Sequence, residues 1–219
     1  MPSLFRKKLS YAMNFSVIRQ ADTPWGKAFA NALAANHRHL ILTGTSEPAL
    51  EALVRDIVRK YPVLVHYLVT DDADTGSIIV ACEKINDRFE VDLLVNYAET
   101  GFPLTLENED IRALDRRLKT SHASHILFLH QLLPNLLLHA HARVVDLWCS
   151  PQPVSVWEQA LLTYHIRFAE HLNAEMDDAG LGIASFHLPV SDGPELPAMA
   201  VTMLEEAVPG FCGSSVMAG

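Results

Sequence analysis

Short β-type runs alternate with longer stretches of helical periodicity through most of the chain, and that alternation limits the possible folds more than any other feature. The β-type runs fall at residues 15–18, 39–43, 63–69, 91–95, 143–149 and 182–188, with a further short one at 214–217. The helical patterns fall at 26–36, 47–60, 75–88, 121–138, 156–176 and 196–206, and another helix begins near Asn108. Ala28, Phe29, Ala32 and Leu33 recur at helical spacing, as do Leu50, Leu53, Val54, Ile57 and Val58. Pro48 is tolerated in a first turn, and Pro134 is expected to kink or bound the helix that holds it. The run 91–95 is nearly all apolar, as a parallel strand covered on both faces must be. Strand–helix repetition with short connections predicts right-handed crossovers and an α/β fold built on one doubly wound parallel sheet.

A chain of 219 residues suits one such domain, spanning 15–219, behind an N-terminal tail at 1–14 that carries Arg6, Lys7 and Lys8. The net charge of -9 argues against a nucleic-acid partner. No apolar run reaches the length of a membrane span, so no membrane partner is expected. Cys82, Cys149 and Cys212 are odd in number and form no CxxC pair, which points to a reducing, cytoplasmic setting. His122 and His125 lie three apart on one helix face, with His130, His139 and His141 beyond. No further ligand follows at a recognisable spacing, so no metal site is expected and these read as surface or interface histidines. His37 and His39 flank a turn and read as solvated.

Several stretches resemble, in order, the landmarks of the short-chain dehydrogenase/reductase family. Residues 26–33 (GKAFANAL) look like its first helix, and 42–53 (LTGTSEPALEAL) like its second strand, turn and second helix. Residues 91–99 (VDLLVNYAE) look like its fourth strand with an altered Asn-Asn-Ala-Gly motif. Leu132, Leu133 and Pro134, then 143–146 (RVVD), then Phe168, Leu172 and Glu175 fall where later landmarks lie. The resemblance runs from about Phe15 to the end and implies a three-layer Rossmann-type domain.

That family seats NAD(P) on a glycine-rich turn, TGxxxGxG, where backbone must approach a pyrophosphate closely. The matching stretch here places Gln20 and Pro24 on the first two glycines and keeps only Gly26, which also serves close helix–strand packing. Asp22 would add negative charge beside the phosphates, and Pro24 removes an N–H donor. Thr45 falls where a basic residue would grip a 2′-phosphate, Asp71 or Asp72 where an acid meets the adenine, and Asn96 on the first asparagine of the fourth-strand motif. The plain readings are a solvated acidic turn and an Asn that makes a turn after its strand. Trp25 reads as core.

The family's catalytic tyrosine and lysine fall on Glu158 and Leu162, or on Ser155 and Gln159 with a gap. Its serine falls near Cys149, with Ser150 adjacent, and its asparagine near Ser121. None of these supplies the phenol–ammonium pair that delivers a proton after hydride transfer. Tyr164 reads as core. Cys149 reads as a buried inert thiol, with a nucleophile as the alternative, and Glu158 as an exposed helix-start acid, with a proton donor as the alternative. The connection at 191–194 is short, so the substrate lid of the family is reduced.

The expectation is a degenerate, pseudoenzyme-like member of the family with no cofactor, NAD(P) being the cofactor if there is one. It would act as a partner or structural subunit or a regulator, as a homodimer, homotetramer or heteromer with a related dehydrogenase, through helices 121–138 and 156–176. The alternatives are an atypical NAD(P)-dependent oxidoreductase using Asp71, Asn96, Cys149 and Glu158, and a small-ligand binding module at the strands' carboxyl ends.

Overall fold

The structure, a computed structural model, describes residues 13–99, 110–150, 156–189 and 192–211. Six strands form one wholly parallel sheet: β1 (Asn14–Ile18), β2 (His39–Gly44), β3 (Val65–Val69), β4 (Glu90–Glu99), β5 (Arg143–Ser150) and β6 (Gly182–Pro189), in the spatial order β3-β2-β1-β4-β5-β6. Helices α1 (Pro24–Ala35), α2 (Glu47–Lys60), α3 (Thr75–Asn86), α4 (Ile111–Leu118), α5 (Ser124–Leu136), α6 (Val156–Met176) and α7 (Leu196–Ala207) connect or follow them. This is the doubly wound α/β domain expected from the alternation. Strand order reverses between β1 and β4, so the crevice that such sheets offer to ligands opens at the ends of those two strands.

Side chains alternate across the sheet with period two, which sends them to two separate cores. Ile18, Leu40, Leu42, Val95, Val145, Leu147 and Cys149 pack with Trp25 and Phe29 of α1, Leu50 of α2 and Leu204 of α7. Phe15, Val17, Ile41, Leu94 and Val144 face the other way, onto Ile78 of α3, Phe128 and Leu132 of α5, and Phe168 and Leu172 of α6. Trp25 is core, 1% exposed, as expected.

Boundaries differ where capping overrides periodicity. Helix α1 starts at Pro24, two residues before its apolar pattern, because Thr23 caps it and proline sits favourably in a first turn. Helix α4 starts at Ile111, where Asp110 accepts from the N–H groups of Arg112 and Ala113; residues near Asn108 lie outside the described ones. The stretch 121–138 is not one regular helix. A π-helical turn, Lys119–Ala123, leads into α5, and Pro134 lies inside α5 on its exposed side, two residues before the helix ends. Strand β3 starts at Val65 rather than 63, and β4 runs on to Glu99, so Asn96 lies within a strand and makes no turn. Residues 1–12, 151–155 and 214–217 lie outside the described ones. No helix among the described residues is long and apolar enough to cross a membrane.

Candidate functional site

The crevice at the ends of β1 and β4 is lined by polar side chains that bind one another. Just past β1, the Arg19 backbone N–H donates to Val95 O (3.0 Å), and its side chain turns in beneath α3 and α5 with 0% exposure. Its guanidinium donates to Asn96 Oδ1 (2.8 Å), Asp72 Oδ2 (2.8 Å) and Ser124 Oγ (2.7 Å), and lies 4.8 Å from the centre of the Phe128 ring. Gln20 Nε2 donates to the same Asp72 oxygen (2.9 Å). Asn96 Nδ2 donates in turn to His125 O (3.2 Å) and reaches Asp146 Oδ1 (3.5 Å). The terminal nitrogens of this buried charge are thus engaged, as a charge out of water requires, while its Nε has no hydrogen-bond partner among the described residues.

Gln20 sits at φ +48°, in the left-handed region where the resembled motif has its first glycine. Gly26 is required sterically: a Cβ there would lie 2.3 Å from Gln20 O. The start of α1 offers few donors to an anion. Pro24 has none, Gly26 N donates to Thr23 Oγ1 (3.1 Å), and Lys27 N donates to Thr23 O (3.0 Å).

Asp22 does not project toward the start of α1. Its carboxylate crosses to the start of α2 and accepts from Thr45 N (2.9 Å), Ser46 N (2.9 Å) and Thr45 Oγ1 (3.1 Å). An anion at a helix N-terminus is favourable, and here the chain supplies its own. Thr45, expected to meet a 2′-phosphate, therefore holds Asp22. Of the two acids after β3, Asp72 points inward at 5% exposure. Asp71 is exposed; it accepts from Ala73 N and pairs with Arg116 at 3.4 Å, so it is not the inward acid.

The catalytic positions are equally altered. Ser121 is buried in the π-helical turn and donates to Arg117 O (2.7 Å), while Ser124, one turn on, is the serine that reaches the crevice. Cys149 is fully buried on the sheet face toward α7, among Leu188 and Leu196. That agrees with an inert core thiol and not with a nucleophile opposite α6. Leu162 is half-buried on α6 and Gln159 is exposed. Glu158 belongs to α6, but its side chain and residue 155 lie outside the described ones. Tyr164 is 48% exposed rather than core.

The histidines are the largest departure from expectation. His125 and His165 are 0% exposed and His122 is half-buried. They pack around Trp148 of β5, whose Nε1 donates to Asp146 Oδ2 (2.7 Å), with His125 Nε2 against the other oxygen of that carboxylate. Burial lowers the His122 pKa to about 4, with the His125 charge adding to the effect, and lowers that of His165 to about 2. It also lowers that of His125, against the opposing pull of Asp146. His37 is exposed as expected, whereas His39 is half-buried and accepts from Leu64 N (3.1 Å). Reading the sequence missed Arg19, Ser124, Asp146, Trp148 and His165; a buried arginine after a strand and a histidine on an apolar helix face carry no local signature.

Fold and crevice together resemble a short-chain-dehydrogenase framework. No family model matches the chain. It is similar to the inactive hydroxysteroid dehydrogenase-like protein 1 of Homo sapiens, at 25% identity over 179 residues, which is 78% of this chain and 54% of that protein. The chain thus spans about half the length of the curated relatives it matches. Among solved structures it superposes on a bulky-bulky ketone specific alcohol dehydrogenase from Comamonas testosteroni with a TM-score of 0.78, at 13% identity over 91% of this chain and 87% of that one. It also superposes on a short-chain dehydrogenase from Sphingobium yanoikuyae in complex with NADPH, with a TM-score of 0.74 at 14% identity, covering 85% and 74%. At these identities the structural likeness is one of fold.

Proposed function

We propose that this chain is a short-chain-dehydrogenase-like protein that does not turn over a dinucleotide and acts as a structural or regulatory subunit. The observation that carries this reading is the burial of Arg19 at 0% exposure, hydrogen-bonded to Asp72 and Asn96. Those are the residues that the resemblance assigns to the cofactor. With Asp72 Oδ2 and Asn96 Oδ1 bound to the guanidinium, fewer acceptors are left for an adenine or a ribose. The Gln20 side chain, the missing Pro24 N–H and the Asp22 carboxylate at the start of α2 oppose a pyrophosphate or 2′-phosphate sterically and by charge. The residues present therefore do not fit NAD(P), and no hydride step is assigned to them. The relative named inactive in the human proteome is consistent with this reading.

Helices α5 and α6 are the proposed contact surface for a second copy or a related dehydrogenase. Tyr164 (48% exposed) and Ile166 (38%) on α6, with Leu137 (39%) and Leu138 (75%) just past α5, support it. NADH and NADPH titrations followed by thermal shift and calorimetry test the first part. No saturable binding up to millimolar concentration is expected, and micromolar binding of either nucleotide would overturn the reading. Sedimentation of wild type against Tyr164→Glu tests the second. A dimer that dissociates in the variant supports the surface, and a wild-type chain that stays monomeric alone and beside related dehydrogenases refutes it.

A further inference from the structure

The cluster around Trp148 brings three imidazoles onto one indole and adjoins the crevice through Asn96 and Asp146. His165 of α6 stacks on the indole with centroids 3.3 Å apart and planes 15° from parallel. His125 of α5 lies at 4.0 Å and His122 of the π-helical turn at 6.1 Å. His187 of β6 stands beside Trp148 in strand register. Such density of one titratable type on a single aromatic ring is not needed for apolar packing.

Two of these rings meet through nitrogen. His122 Nδ1 and His165 Nε2 are 2.6 Å apart, so the contact holds one proton, donated by one ring and accepted by the other. One added proton can sit on the outer nitrogen of a ring and leave this bond in place, but when both rings are protonated two N–H groups stand head to head, and the rings must then part. The surroundings offer little to compensate a charge. Asp146 from β5 is committed to Trp148 Nε1, Asn96 and His125. Arg19, from the end of β1, bonds to Asn96 and adds positive charge on that side. Tyr164 of α6 meets His165 edge-on at 5.0 Å. On the side of β6, a groove of about 300 Å³ holds His187 and Glu170. Among the described residues no group of three His, Cys, Asp or Glu side chains has an arrangement that holds a metal ion.

We propose that the one-proton contact between His122 and His165 is a latch that joins α6 to the start of α5 and that mild acid opens. The depressed pKa values agree with a closed state that excludes the extra proton. The direction follows from linkage. Two rings released to water can each take up a proton near the ordinary 6.5, whereas the closed pair can hold at most one added proton, so well below pH 6.5 the open state binds more protons. Each pH unit below 6.5 then favours opening by up to about tenfold per proton taken up. The inference does not depend on whether a dinucleotide binds.

Hydrogen–deuterium exchange of the full chain at pH 7.5, 6.5 and 5.5, corrected for intrinsic rates, tests it. Protection of α6 peptides is expected to fall by about tenfold between pH 6.5 and 5.5, while α1 peptides stay unchanged. His165→Phe, which keeps a ring on Trp148 without a titrating nitrogen, is expected to show no such fall, and His122→Phe serves if that variant does not fold. Wild-type α6 protection that is flat across this range, or the same loss in the phenylalanine variant, overturns the latch.

Discussion

The Arg19 guanidinium and the Asp72 carboxylate meet 2.8 Å apart at the top of the sheet, with side-chain exposures of 0% and 5%. The pair ties the end of β1 to the turn after β3, across the crevice where this kind of sheet takes a ligand. Both charges are removed from water, so neither is tolerable without the other. Arg19→Ala is expected to cost about 3–5 kcal/mol of unfolding free energy, because Asp72 is left buried and unpaired. A double variant, Arg19→Met with Asp72→Leu, should recover much of that loss. Urea denaturation of the singles and the double gives the coupling; a loss below about 1 kcal/mol in Arg19→Ala would show that the pair does not hold the crevice shut.

Asp22 holds the turn that leads into α2, whose own N-cap is Ser46. Asp22→Ala removes three hydrogen bonds and a favourable charge at the start of α2. A stability loss of about 1–2 kcal/mol is expected, with faster amide exchange at Thr45 and Ser46. Unchanged exchange at those two amides would refute the assignment.

His37 is exposed and sits at φ +59°, directly after the C-cap of α1 at Asn36. A non-glycine residue in that region is strained by about 1 kcal/mol. His37→Gly is therefore expected to raise stability by about 0.5–1 kcal/mol, read as an increase in melting temperature. A lower melting temperature would mean that the imidazole makes a contact worth more than the strain.

Cys82 is buried at 0% exposure, and burial pushes its thiol pKa from 9.0 up to about 12. Attack requires the thiolate, so alkylation of the native Cys82 peptide at pH 8 should be about a thousandfold slower than in the unfolded chain, from the pKa alone. The sign for stability follows: below pH 9 both states keep the proton, and above it the unfolded chain loses its proton first. Stability should therefore decline from pH 9 toward 12, and Cys82→Ala should flatten that decline. Rapid native labelling resolved by mass spectrometry would contradict this burial.

Most of the architecture was legible before the structure. The apolar run 91–95, the amphipathic stretch 47–60 and the strand–helix order each specify a local element, and the right-handed crossover rule leaves few ways to assemble them. Gly26 is legible as a packing glycine, since a Cβ there would meet Gln20 O, and Cys149 as a buried residue. The site was less legible. Asp71 and Asp72 are not distinguishable in the sequence, because neighbouring residues in a turn cannot be told apart until their backbone directions are known. Asn96 was read as a turn residue because the apolar run stopped at Val95, although the β-ladder continued beyond it. His125 and His165 were read as surface or passed over, since a polar residue is taken as exposed unless its partners are visible, and Asp146 and Trp148 lie on another strand.

What the sequence by itself determined is the set of elements, their order, and that no tyrosine is followed four residues on by a lysine. These depend on periodicity, capping and residue type, all of which are local. What only the tertiary structure decided is how the vacated positions are filled: Arg19 onto Asp72 and Asn96, Asp22 onto the start of α2, and His122 onto His165. Those contacts join residues 53, 77 and 43 positions apart in the Arg19–Asp72, Arg19–Asn96 and His122–His165 cases. Electrostatic and hydrogen-bond energies depend on distance in space, which separation along a chain does not encode.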